Sequence, residues 1–173
     1  MYLDSSYFQG ELFIPNLKLN NSSYGKSAML EAVGESNMAW MIDKYENEAL
    51  GLILGPGLRD EMIEGLKNDE DKWQTLFNKI YVKGNHGNYS PVANYVYFMI
   101  MKNGRTQTSP TGEVRKRTDN TSVVNDRNKL IKAWNDMGIM INDIHMFISN
   151  SGDYGELGNS LVSCFKPINE FGI

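Results

Sequence analysis

The chain has 173 residues, Lys+Arg 17 against Asp+Glu 21, a formal net charge of −4 and one cysteine. That length suits one domain with arms, and such a chain buries roughly 70% of the surface its unfolded form exposes, so it needs no metal or disulfide staple. The acidic balance argues against a whole-molecule nucleic-acid binder, and the lone Cys164 excludes an intramolecular disulfide and a Cys-rich zinc site.

Residues 1–35 read as an N-terminal arm. The opening Met1-Tyr-Leu-Asp-Ser-Ser-Tyr-Phe8 lacks the basic region and apolar core of a signal peptide, so a chain kept in a reducing compartment is expected. Phe8, Leu12, Phe13, Ile14 and Leu17 suggest a short extended segment around Pro15. Asn20-Asn-Ser-Ser-Tyr-Gly25 has loop composition. Residues 26–33 suit two helical turns closed by Gly34.

The first strong helix is predicted near 36–54, with Ser36 as N-cap. Met38, Met41/Ile42, Tyr45, Ala49 and Leu52/Ile53 recur at helical spacing and share one face. Lys44, Glu46 and Glu48 fall between them and are expected to stay in water. A Gly55-Pro-Gly57 corner leads into a second helix over 57–67. A third is predicted over 71–83, capped by Asp69 or Asp71, with Trp73, Leu76, Phe77 and Ile80 on one face. Lys83-Gly-Asn-His-Gly-Asn-Tyr89 is a loop. Ser90-Pro91 then opens a fourth helix, because serine accepts at the cap and proline is pre-set for the first helical position. The run 92–101 is apolar or aromatic almost all round, interrupted by Asn94. This marks the buried centre of the fold and is too short to span a bilayer, which takes about 20 residues.

Residues 104–122 form a protruding β-hairpin or a flexible loop around Pro110-Thr-Gly112. The last helix is predicted over 124–149, with Leu130, Trp134, Met137, Ile141, Ile144/His145 and Ile148 stepping by three and four, and Asn150-Ser-Gly152 as its end. Residues 151–173 are a C-terminal arm. The expected fold is mainly α: one helical-bundle domain of four to five helices over 36–150, with the loop and two extended arms.

Few residues are arranged for chemistry. Gly25-Lys26-Ser27 resembles the end of a phosphate-binding loop, but the first glycine of that motif falls on Asn20. His86 sits in a glycine loop and His145 beside an apolar helix face; without an H-x-x-x-H pair they make no recognisable metal site. Cys164 lacks a base or cation to activate it. Asp69-Glu-Asp71 complements a helix start. Asn21, Asn88 and Asn120 open glycosylation-type triplets that mean nothing without secretion. No cofactor is expected. The informative cluster is basic: Lys102, Arg105, Arg115, Lys116 and Arg117 against Glu113 alone, a local charge of +4 on a chain of −4. A long, charged loop of this kind faces a partner, either phosphates or an acidic protein surface.

The hairpin of residues 40–66, the later Pro91-Val-Ala-Asn-Tyr-Val-Tyr97 helix, the Thr/Gln-rich loop with Gly112-Glu113 and the long Lys132-Ala-Trp-Asn135 helix together resemble the small helical head–tail connector (adaptor or head-completion) proteins of tailed phages, especially those infecting Bacteroidetes. The resemblance covers about residues 36–150 and rests on helices and glycines. It implies a homo-oligomeric ring, typically dodecameric, docked beneath the portal protein and contacting tail or other connector proteins. It also implies a virion location at the head–tail junction, host cytoplasm during assembly, no membrane and no enzymatic activity. The loop or arms would then reach neighbours, and Tyr7, Phe8, Phe13, Phe165, Phe171 and Ile173 are the assembly-arm candidates, since apolar anchors on non-periodic ends need a subunit to cover them. Lys102, Arg105, Arg115, Lys116 and Arg117 would contact a partner or packaged DNA. The competing readings are a small nucleic-acid-binding accessory protein using residues 102–117 and a small cytoplasmic enzyme using His86.

Overall fold

A computed structural model describes residues 1–14, 28–85, 87–103, 106–109, 112–115, 127–155, 157 and 165–169, with the backbone alone given for 28–37 and the strand residues. The described chain is mainly helical. It runs through two short 3-10 turns, Ser5–Tyr7 and Gly10–Leu12, then α1 (Ala28–Leu54), α2 (Pro56–Lys67), α3 (Asp71–Ile80), α4 (Pro91–Asn103), the strands β1 (Thr106–Ser109) and β2 (Gly112–Arg115), and α5 (Arg127–Ser151).

Helix α4 is the centre. Its Val92, Ala93, Tyr95, Val96, Tyr97 and Ile100 are buried, and it packs against both α1 and α5. The start is built as its sequence predicts: the Val92 N–H donates to Ser90 Oγ at 3.1 Å, with Pro91 in the first turn. Asn94, the one polar residue in the apolar run, is buried and donates from Nδ2 to the Ala133 carbonyl on α5 at 2.9 Å. The predicted apolar faces of the other helices are the buried ones. Ile42, Tyr45, Ala49 and Ile53 on α1, Trp73, Leu76 and Ile80 on α3, and Leu130, Met137, Ile141, Ile144 and Ile148 on α5 all join one core.

The α1–α2 corner needs Gly55, whose φ is +76°, a conformation L side chains disfavour; Pro56 then starts α2 at its first position. Asp69 takes a positive φ of 54° just beyond α2, where the Asn68 N–H donates to Glu64 O at 3.2 Å and the Glu70 N–H to Gly65 O at 3.0 Å. These bonds satisfy the last carbonyls of the helix. Gly65 lets α3 close on α2, because a Cβ there would lie 1.7 Å from Trp73 Cδ1.

Several expectations change. The break at Gly34 and the cap at Ser36 do not exist, since α1 is continuous from Ala28. A glycine inside a helix costs only about 1 kcal/mol, less than a continuous helix gains by avoiding a new nucleus. Helix α3 ends at Ile80 rather than 83, and Glu70, not Asp69 or Asp71, holds its N-cap position without a side-chain bond. The chain then forms an isolated antiparallel bridge between Val82 and Tyr89. Helix α5 is described from Arg127 and runs two residues beyond the predicted 149, to Ser151, with Gly152 at φ +68°.

The largest correction concerns the arms. The segment 8–14 is not extended; it carries a 3-10 turn, Gly10–Leu12, and Leu3, Tyr7, Phe8 and Ile14 are all in the core. At the other end Phe165 is buried, with its ring 5.8 Å from Trp134. Residues 166–168 lie along α5: the Trp134 Nε1–H donates to Lys166 O at 2.9 Å, and Asn135 exchanges two bonds with Ile168, at 2.9 and 2.8 Å. Tyr7, Phe8 and Phe165 are thus covered by their own chain, whereas Phe13 is exposed. In the internal segment the backbone of β1 and β2 pairs antiparallel, Thr106 opposite Arg115 and Ser109 opposite Gly112.

Candidate functional site

Two features stand out around the N-terminal segment. The first is Glu46 on α1, which is 2% exposed where the sequence reading expects a wet surface residue. Its carboxylate is wrapped by donors from far along the chain. The Tyr2 N–H donates to both oxygens at 2.9 Å, the Leu3 N–H to Oε1 at 3.0 Å, and the Tyr81 O–H to Oε1 at 3.0 Å. A carboxylate survives burial only when its lone pairs are filled this way. Burial still pushes the Glu46 carboxyl above the usual carboxylate range, against the pull of these hydrogen bonds and the nearby terminal ammonium. The same burial, with Glu46 beside it, drives the Tyr81 phenol far above its ordinary value. Around this point Tyr2 packs edge-on to Phe77 at 5.0 Å and Phe77 stacks on Tyr81 at 4.7 Å. The arrangement is a clamp that fastens residues 1–8 to α1 and the end of α3.

The second feature is the groove the clamped segment creates. It has a volume of about 590 Å³. One wall is the N-terminal segment, with Tyr7 and Leu12. The rest of the apolar lining comes from Ala133, Ile139 and Met140 on α5 and from Tyr89, with Asn94 on α4 beside them. Tyr89 and Ile139 are exposed, 53% and 65%. The polar groups around it are mostly committed to holding the walls. Asn88 Nδ2 donates to Ser6 Oγ at 2.5 Å, and Asn94 is tied to Ala133. Lys132 reaches from α5 to Glu11 Oε2 at 2.6 Å and to Asp136 Oδ2 at 2.8 Å. Hydrogen bonds to Asp136 and then Glu11 push the Lys132 ammonium up to about 12. These three groups are solvent-exposed, so the bridge is worth no more than about 1 kcal/mol and serves mainly to set the position of the wall. Tyr7 lines the groove, but its hydroxyl is buried away from it and, among the described residues, is the buried side-chain polar atom without a hydrogen-bond partner. A separate, smaller cleft of about 110 Å³ shares Tyr89 and Met140 with the groove and is also lined by Ile80, Pro91 and Ile144.

The residues singled out from the sequence fall as follows. Tyr7 lines the groove and Phe8 lies in the core beneath it; Phe13 is 62% exposed at the end of the N-terminal segment. Phe165 is buried against α5; Phe171 and Ile173 lie outside the described residues. Lys102 is exposed at the end of α4, with Nζ 5.8 Å from the Phe98 ring. The backbone of Arg115 pairs across the hairpin with Thr106. Arg105, Lys116, Arg117, His86, Cys164 and the Gly25-Lys26-Ser27 stretch lie outside the described residues. His145 is a packed residue, 9% exposed, and its Nε2–H donates to the Ile53 carbonyl at 2.6 Å. Among the described residues no group of three or more His, Cys, Asp or Glu is placed to hold a metal ion, and no helix is long and apolar enough to cross a membrane.

Sequence reasoning missed Glu46 and the groove. A signal for Glu46 was present: position 46 lies four residues after Ile42 and three before Ala49, on the apolar stripe itself. Its residue type hid it. The groove had no local signal, because its walls come from segments more than 120 residues apart. Comparison with protein-family models, with curated proteins and with solved structures gave no match.

Proposed function

We propose that the chain is a structural adaptor subunit of a tailed-phage head–tail junction, assembling as a ring between portal and tail. The observation that carries this reading is the groove: largely apolar, open, and walled by side chains several of whose polar groups, those of Asn88, Asn94, Lys132, Glu11 and Asp136, are committed to holding its shape. Such an open, largely apolar surface suits docking of a protein segment. The resemblance of residues 36–150 to helical connector proteins supports the same reading. Under it, the basic segment 102–117 faces a neighbouring protein or the packaged DNA. The test is quantitative mass spectrometry of purified virions from the source phage. A copy number equal to that of the portal protein is expected; absence from the particle refutes the connector.

A second reading, a nucleic-acid-binding accessory protein, is favoured by one observation. The hairpin register sets the Arg115 backbone opposite Thr106, four residues beyond Lys102, so these two basic positions fall at the same end of the hairpin. Five phosphate contacts would give a log affinity falling against log salt with a slope of about −4 to −5 on duplex DNA. A flat salt dependence, or no change in Arg115→Ala/Lys116→Ala/Arg117→Ala, removes this reading.

A further inference from the structure

Residues 165–168 lie on α5 in the way a short peptide lies on a receptor. They form no helix or strand of their own, and two α5 side chains hold their backbone. The Trp134 Nε1–H donates to Lys166 O at 2.9 Å; Asn135 donates from Nδ2 to Ile168 O at 2.9 Å and accepts the Ile168 N–H at Oδ1 at 2.8 Å. Phe165 is the anchor, 7% exposed, with its ring 5.8 Å from Trp134, which lies 4.8 Å from Phe98. Gly138 leaves room for the backbone, since a Cβ there would stand 3.3 Å from Phe165 O. We infer that this segment passes between copies: residues 165–168 of one copy lie along Trp134, Asn135 and Gly138 of a second copy and make there the contacts they make on their own α5.

The occupant is argued from the segment already seated on the site. The contact is self-contained: main-chain hydrogen bonds hold the segment and one apolar anchor gives it register, which is how proteins read short peptides, and both work equally well from a second chain. The segment lies on the outside of the fold. Lys166 and Pro167 are exposed and Trp134, Asn135 and Ile168 are half-buried, so lifting it uncovers little besides Phe165. Pro167 fixes its own φ and keeps Lys166 out of the helical region, so the free segment has less freedom to lose on docking. Reach is sufficient as well. Eight peptide steps separate Leu157 from Phe165, a span of at most about 26–29 Å, against about 10–12 Å for the width of a helix with its side chains. Exchanging an identical element between copies is a low-cost route to assembly, and passed on in one direction it closes into a ring or continues as a filament. The inference rests on the ring reading and names the segment that links its subunits.

Tethering holds the wild-type segment on its own α5 at an effective concentration of about 1 mM, so the experiment uses two full-length variants that each lack one half of the contact. Phe165→Glu spoils the segment and keeps the site; Asn135→Ala/Gly138→Val spoils the site and keeps the segment. Helicity by circular dichroism is expected at the wild-type level for both, since valine is no worse than glycine inside a helix. If either falls below it, Phe165→Ala and Asn135→Ala alone take their places. In sedimentation velocity each variant alone stays monomeric, and the equimolar mixture at about 1 mM, matching the tether, forms a one-to-one dimer and nothing larger. A mixture that stays monomeric overturns the inference. So does a mixture that still dimerises once Phe165→Glu is added to the second variant, because no intact segment is then present. The two proposals fail separately: absence from virions removes the connector without touching the exchange, and a failed mixture removes the exchange without touching the virion copy number.

Discussion

The Glu46 clamp gives the sharpest prediction. Glu46→Ala removes the acceptor of three groups. The Tyr2 N–H regains water, because that residue is 38% exposed, but Leu3 and Tyr81 are each 2% exposed and their donors are stranded. Two stranded buried donors cost about 1–3 kcal/mol each. Part is offset because a carboxylate no longer has to be buried, the same desolvation that raises its pKa. The expected net loss is about 2–4 kcal/mol. Tyr81→Phe removes one donor and leaves Glu46 two backbone N–H groups, so it should cost about 1 kcal/mol. Because Tyr81 and Glu46 share a bond at 3.0 Å, the double variant should be less destabilised than the sum, with a coupling of about 1 kcal/mol. Urea unfolding followed by helical circular dichroism supplies all four stabilities, with unchanged m-values as the check that the variants still unfold as one unit. A Glu46→Ala loss below about 1 kcal/mol, or strict additivity with Tyr81→Phe, would refute the clamp.

Further predictions follow from the same core. Gly65→Ala forces a Cβ against the Trp73 ring, 1.7 Å from Cδ1, and should cost roughly 3 kcal/mol, the upper end for overpacking, read as a fall in the urea midpoint; a loss under about 1 kcal/mol would mean α2 and α3 separate freely. Deleting residues 1–14 strips Leu3, Tyr7, Phe8 and Ile14 from the core, at about 1.5–3 kcal/mol each. That sum rivals the whole stability of a domain, about 5–15 kcal/mol, so the truncated chain should lose cooperative unfolding; an intact sharp transition would restore the N-terminal segment as a dispensable arm. For pH, the folded Glu46 pKa is raised, so the folded state holds its proton more tightly than the unfolded one. That contribution is full below the unfolded value of about 4.3 and is lost as pH rises through the folded value. Stability of wild type relative to Glu46→Gln should therefore decline from acid towards neutral pH, and a constant difference across that range would contradict the raised pKa.

Much of the helical scaffold was legible in the sequence because its causes are local. Apolar spacing at three and four placed the buried faces of α1, α3 and α5, the all-round apolar run marked α4 as the centre, and Ser90-Pro91 and Gly55-Pro56 set two helix starts through cap and turn chemistry. The misreadings also have physical causes. Gly34 and Ser36 carry local stop and start signals, which a continuous helix overrides at small cost. The N-terminal segment has no period, so nothing local says that Tyr7 and Phe8 belong to the core. Only the tertiary structure decided that, and with it the groove. Glu46 shows the division most clearly. Its spacing put it on the buried stripe and its charge argued for water; what settled the matter was a set of donors from residues 43, 44 and 35 positions away in the chain. A buried carboxylate is stable only where such donors converge, and convergence is a property of the folded chain.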